Sequence, residues 1–173
     1  MTVTNGLVQV TAVATHTALS AWSIISGFLI VIVLFAALFL FARYVGRGGF
    51  VALLFSFYSA YAIYTAFPYR SILPSTPPTA ALLTNLGMYI VLVVFFYIIL
   101  RRVVVSDFLY IGIVGLIILS LLGASFLLAL CYHVFPVSSV YAFTPSLNML
   151  FAPTAYFFWW FIGPAIGLFF LAR

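Results

Sequence analysis

The chain reads as five long apolar runs divided by breaks that carry arginine, proline or both. The first run, from about Ala21 to Ala42, holds neither charge nor proline over the roughly 20 residues that a helix needs to cross a bilayer. Arg43 and Arg47 end it, and the turn YVGRGG is so short that the second run, Phe50 to about Phe67, is predicted to return antiparallel beside the first as a tight hairpin. Pro68, Pro74, Pro77 and Pro78 then exclude helix from PYRSILPSTPPT, which is predicted to be a surface loop. A third run spans about Ala80 to Leu100 and closes on Arg101 and Arg102. Ser106 and Asp107 stand where they would cap a fourth, from about Phe108 to Cys131. The stretch from Tyr132 to Pro153 has too many prolines for a straight span and is too apolar for a hydrated loop, so it is predicted to hug the membrane. A last run, about Thr154 to Ala172, is just long enough to cross, with a kink expected at Pro164 and Arg173 anchoring its end.

This pattern predicts an all-α, polytopic transmembrane helical bundle: one membrane domain over 1–173, with a polar segment at 1–20 and five spans at about 21–42, 50–67, 80–100, 108–131 and 154–172. The alternative is four spans plus a re-entrant segment, because Gly163, Pro164 and Gly167 are able to break the last helix inside the membrane. Composition agrees with either, at 68% hydrophobic and 4% charged residues in a chain of 173. In the polar segment, Val3, Leu7, Val10, Ala14 and Ala18 recur at helical spacing, which allows an interfacial amphipathic helix; a disordered threonine-rich tail fits the same residues. No positive region precedes the first apolar run, so no cleaved signal peptide is expected.

The charges set the expected orientation and partners. Placing the first turn in the cytoplasm puts Arg43, Arg47, Arg101, Arg102 and Arg173 inside and Arg70 alone outside, which gives amino terminus out and carboxyl terminus in. A net charge of +5 carried by isolated or paired arginines, without interleaved polar surface, argues against nucleic acid. The lipid bilayer and its anionic headgroups are the expected partners, with another membrane protein or a second copy of the chain as a further one. Glycines and arginines in the first turn lack the lysine, the serine or threonine and the strand of a phosphate-binding loop. Cys131 is the only cysteine, so neither an intramolecular disulfide nor a cysteine metal cluster is expected.

Helix faces supply the candidate packing residues. On the second span Ala52, Ser56, Ser59 and Ala60 fall on one side and Phe57, Tyr61 and Tyr64 roughly opposite. The small side is expected to meet the first or the fourth span, because small residues let backbones approach where lipid removes the hydrophobic driving force. Gly112, Gly115 and Gly123 in the fourth span, and the pair Gly163 and Gly167 in the last, are expected to pack within the chain. Trp159 and Trp160 read as interfacial anchors, and Tyr58, Tyr61 and Tyr64 as either a polar path or locally bonded hydroxyls.

Candidate chemistry is sparse. The only carboxylate, Asp107, sits beside Arg101 and Arg102 at a helix start, so no acid pair exists for general acid and base work, and no catalytic residue is expected. His16 and His133 both map to the outer side, where they are the weak candidates for a haem or metal site; interfacial histidines without a ligand role are the plainer expectation, and no cofactor is expected. Cys131 and His133, two apart on a helix, point away from one another and make no nucleophile pair.

The hairpin from Gly27 to Pro68, with its Arg47-Gly48-Gly49-Phe50 turn and the returning VALLFSFYSAYAIYTAFPY, resembles the amino-terminal part of the colicin V production protein family. These are small bacterial inner-membrane proteins of about four spans. The chain lacks the acidic residue those proteins often carry early in the first span, and adds a tryptophan-rich last run. The resemblance implies an inner-membrane location and a non-catalytic role in envelope homeostasis or export. The expected function is therefore a scaffold or accessory subunit. Two alternatives are a channel or transporter for a small solute, using Ser56, Ser59, Tyr61, Asn85 and Asn148, and a haem-binding electron-transfer subunit. If a transporter, Asn85 and the serines of the second span face each other; if a scaffold, they cap helices or bond locally.

Overall fold

The computed structural model describes residues 28–68, 76–103, 111–135, 137, 140–141 and 143–171. These form six helices: α1 (Leu29–Val45), α2 (Arg47–Ala66), α3 (Pro78–Val103), α4 (Ile113–His133), α5 (Pro145–Phe151) and α6 (Thr154–Leu171). No strand occurs among the described residues. Helices α2, α3, α4 and α6 are long and apolar enough to cross a membrane, and α1 is apolar over its 17 described residues, about 25 Å of helix.

One residue joins α1 to α2. Gly46 has φ 89° and ψ 172°, a region open essentially to glycine alone. Its N–H donates to the Ala42 carbonyl at 3.1 Å and its carbonyl accepts from the Phe50 N–H at 3.0 Å, so it closes one helix and opens the next. The arms run antiparallel: Leu38 and Leu54, equally far from Gly46 on either side, both reach Gly123 of α4. The tight hairpin expected from the short turn is nonetheless opened out. Away from the turn, α1 packs mainly on α4 and α2 mainly on α3, and the two arms touch each other less.

The remaining directions follow from side-chain pairs. Tyr64 meets Asn85 and Tyr89 meets Phe57, which sets α3 antiparallel to α2. Phe57 stacks on Phe126, and Tyr64 makes an edge contact with Phe135, just past the end of α4, which sets α4 parallel to α2. Gly115 faces Leu171 and His133 faces Phe157, which sets α6 antiparallel to α4. The five longer helices thus alternate in direction. α4 is the centre, buried on most sides as expected of a helix that is apolar all round, and α3 lies at the edge with only Ala81 and Tyr89 buried.

Several boundaries differ from those read in the sequence. α3 begins at Pro78 rather than near Ala80, since proline is tolerated in a first turn whose N–H groups have no helical partner. α4 begins at Ile113, after an extended Gly112, rather than near Phe108, because glycine is a poor helix former. Ser106 and Asp107 lie outside the described residues. α6 runs unbroken through Gly163, Pro164 and Gly167, so the break on which a re-entrant last segment depends is not present. Near Pro164, the Tyr58 hydroxyl donates to the Phe161 carbonyl at 2.6 Å and ties α2 to α6.

Candidate functional site

Alternation of the helices gathers the basic residues at one end. The end of α1 brings Arg43, the start of α2 brings Arg47 and the end of α3 brings Arg101 and Arg102, all four exposed. Arg43, Arg101 and Arg102 sit in last turns, where the carbonyl end of the helix favours a cation. Beside Arg43 lies a shallow, open recess bordered by Leu40, Phe41 and Tyr44. Arg70, Arg173 and Asp107 lie outside the described residues.

The opposite end is built from aromatic rings and backbone carbonyls. Seven-residue α5 leaves its last carbonyls without helical partners, and side chains of the neighbouring helices supply them. His133 Nε2 lies 2.8 Å from the Phe151 carbonyl, which makes that nitrogen the donor, and Trp160 Nε1 donates to the Leu150 carbonyl at 3.1 Å. Tyr132 stacks on Phe143 with ring centroids 4.3 Å apart and donates its hydroxyl to Asn148 Oδ1 at 2.7 Å. Phe143, Leu147 and Phe151 are buried against Leu128 and Ala129 of α4. The segment expected to hug the membrane is therefore, in its described part, docked on α4 and α6. His133 has a structural bond and its ring lies against Phe157; the other candidate haem or metal ligand, His16, lies outside the described residues. Among the described residues, no three His, Cys, Asp or Glu side chains cluster.

Polar groups between the helices bond locally. Ser56 Oγ donates to the Leu53 carbonyl at 2.6 Å and Ser59 Oγ to that of Phe55 at 3.0 Å, each within its own helix. Asn85 donates to the Ala81 carbonyl at 2.7 Å and accepts from Tyr64 at 2.8 Å. Tyr61 packs its ring on Phe161, and Asn148 is held by Tyr132 at the aromatic end. None of the hydrogen bonds of the five side chains proposed to line a solute path joins one of them to another. Two buried hydroxyls, of Tyr97 and Ser120, have no hydrogen-bond partner.

Small residues mark close approaches, with two corrections. Leu122 of α4 enters the groove of Gly163 and Gly167, Gly115 meets Leu171, and Gly123 receives Leu38 and Leu54. Gly112 has nothing within 4 Å of where its Cβ would be, so it ends a connection rather than packing a helix. Ala52, Ser56 and Ala60 are fully buried, but their face turns to α3 rather than to the first or fourth span. The same stripe runs from Gly49, beside Tyr97, to Tyr64, bonded to Asn85, both contacts to α3; Tyr64, one turn past Ala60, is therefore on this face and not opposite it. What sequence reasoning missed is the aromatic layer of Phe57, Tyr58, Phe126 and Phe161 that joins α2, α4 and α6. Its signal was the high count of 20 phenylalanines, more than an interface requires.

These helices define the class: a small helical integral membrane protein with a basic end and an aromatic end. Comparison with family models, with curated proteins and with solved structures gives no match to this chain.

Proposed function

We propose that the protein is a non-catalytic scaffold or accessory subunit of the bacterial cytoplasmic membrane, serving envelope homeostasis or export, as the hairpin resemblance implies. It crosses the membrane five times, amino terminus outside and carboxyl terminus inside, with its basic end on anionic headgroups of the inner leaflet. One observation carries this reading: Ser56, Ser59, Asn85 and Asn148 are bonded to nearby backbone or to a tyrosine rather than to one another. Of these groups, Asn85 and Asn148 also accept from a tyrosine of another helix, Tyr64 and Tyr132, and such interhelical bonds hold helices together, a role worth about 0.6 kcal/mol each and rarely above ~1.7. A solute pathway needs such groups to converge.

Gentle extraction from native membranes, followed by sizing and identification of what stays bound, tests it. A stoichiometric membrane-protein partner is the expected result. A chain that emerges alone or as a homo-oligomer would contradict the subunit role, and solute flux in reconstituted vesicles becomes the next measurement.

A further inference from the structure

Between α1, α2, α3 and α4 lies a cavity of 350 Å³ whose wall presents no polar surface. Leu34, Phe57, Leu86, Ile90, Leu127 and Cys131 form most of it. Tyr89 also borders it, but its hydroxyl is taken up by the Phe57 carbonyl at 3.1 Å. A cavity of this chemistry does not hold water, which needs two or more polar partners. Left empty, it forfeits the dispersion contacts of every side chain around it.

Position identifies what fills it. α1 and α3 touch through the rings of Phe41 and Tyr97, 5.8 Å apart, towards the basic end. Beyond that contact the cavity lies between the two helices, with half-exposed Ile90 on its rim and Leu34 and Leu86 partly exposed beside it. Ile90 is at the middle of α3, so the mouth is at the depth where a bilayer offers hydrocarbon and nothing else. The volume is near the lower end of the ~300–1,000 Å³ typical of ligand pockets, room for a length of chain rather than a large fused-ring body.

We propose that this cavity is a binding site for a lipid hydrocarbon chain, which enters sideways from the bilayer between α1 and α3. The site rests on the membrane reading above. Filling it moves methylenes from lipid to protein without dehydration, and restores the contacts that an empty cavity lacks.

The test uses the full chain in phosphatidylcholine and phosphatidylglycerol vesicles containing a phospholipid with a mid-chain diazirine, with adducts mapped by mass spectrometry. Adducts on Leu127 or Cys131 of α4 are expected, together with adducts on the outward Val91, Val94 and Phe95 of α3. Leu86→Trp, which plugs the mouth, is expected to lower the α4 adducts at least fivefold and leave those on α3 unchanged; Cys131→Phe fills the cavity from the other wall should the first variant fold poorly. Adducts confined to α3, or α4 adducts that persist in a folded filled variant, would overturn the site and leave the membrane reading standing. Loss of the α3 adducts as well would overturn both.

Discussion

Gly46 alone makes the reversal between α1 and α2, in a backbone region that costs other residues about 1–3 kcal/mol. Gly46→Ala is therefore expected to lower stability by that amount in thermal unfolding of the detergent-solubilised protein. Gly87 is the control: it sits inside α3 with nothing within 4 Å of its Cβ position, and Gly87→Ala is expected to leave stability unchanged or raise it by about 0.5–1 kcal/mol. Buried hydroxyls divide in the same way. Ser120 is fully buried and unpartnered, whereas Ser125 donates to the Leu121 carbonyl at 3.0 Å. An unsatisfied buried group costs about 1–3 kcal/mol, so Ser120→Ala is expected to stabilise and Ser125→Ala to be neutral or destabilising by the same assay. The Tyr64–Asn85 bond joins α2 to α3, and a double-mutant cycle with Tyr64→Phe and Asn85→Leu is expected to give a coupling of about 0.6 kcal/mol, below ~1.7. A coupling of zero would mean that the pair does not hold the two helices.

At the scale of elements, α6 is seated on α4 by shape. A Cβ on Gly167 would come within 2.7 Å of Leu122 Cδ1, the tip of a side chain that is able to shift, so Gly167→Ala is expected to be mild and Gly167→Val, which adds branched bulk, to cost about 1–3 kcal/mol. Leu122→Ala is expected to restore part of that loss, a non-additivity that independent sites would not show. The groove of Gly163 and Gly167 was legible in the sequence because four-residue spacing of glycine fixes one face of a helix. The partner of the α2 small face was not. Ala52, Ser56 and Ala60 specify that a backbone approaches closely, yet nothing in their spacing says that it is that of α3. α5 was hidden for another reason: seven residues between prolines carry no readable period, and their helix is held by Trp160, His133 and the buried Phe143, Leu147 and Phe151. The apolar runs themselves were read to within a few residues for α2, α3 and α6, because absence of charge over a bilayer thickness is a strong signal; the α4 start slipped because Gly112 lies inside an apolar run without interrupting it.

For the whole molecule, alternation of the five longer helices does what the arginine positions alone implied, and brings Arg43, Arg47, Arg101 and Arg102 to one end while Tyr132, Asn148 and Trp160 form the other. A basic end and an aromatic end separated by apolar helices is the arrangement expected of a bundle held across a bilayer, and the scaffold reading and the lipid-chain site both depend on it. Two exposed positions report on the two ends: Tyr44, 93% exposed at the basic end, and Met149, 80% exposed on α5. With Cys131→Ser removing the single native thiol, Tyr44→Cys and Met149→Cys are to be tested separately with a membrane-impermeant maleimide, on intact spheroplasts and again after lysis. The account predicts that Met149→Cys is labelled on intact spheroplasts and Tyr44→Cys only after lysis. Labelling of Tyr44→Cys from outside would reverse the orientation, and labelling of both from the same side would contradict a bundle that crosses the membrane.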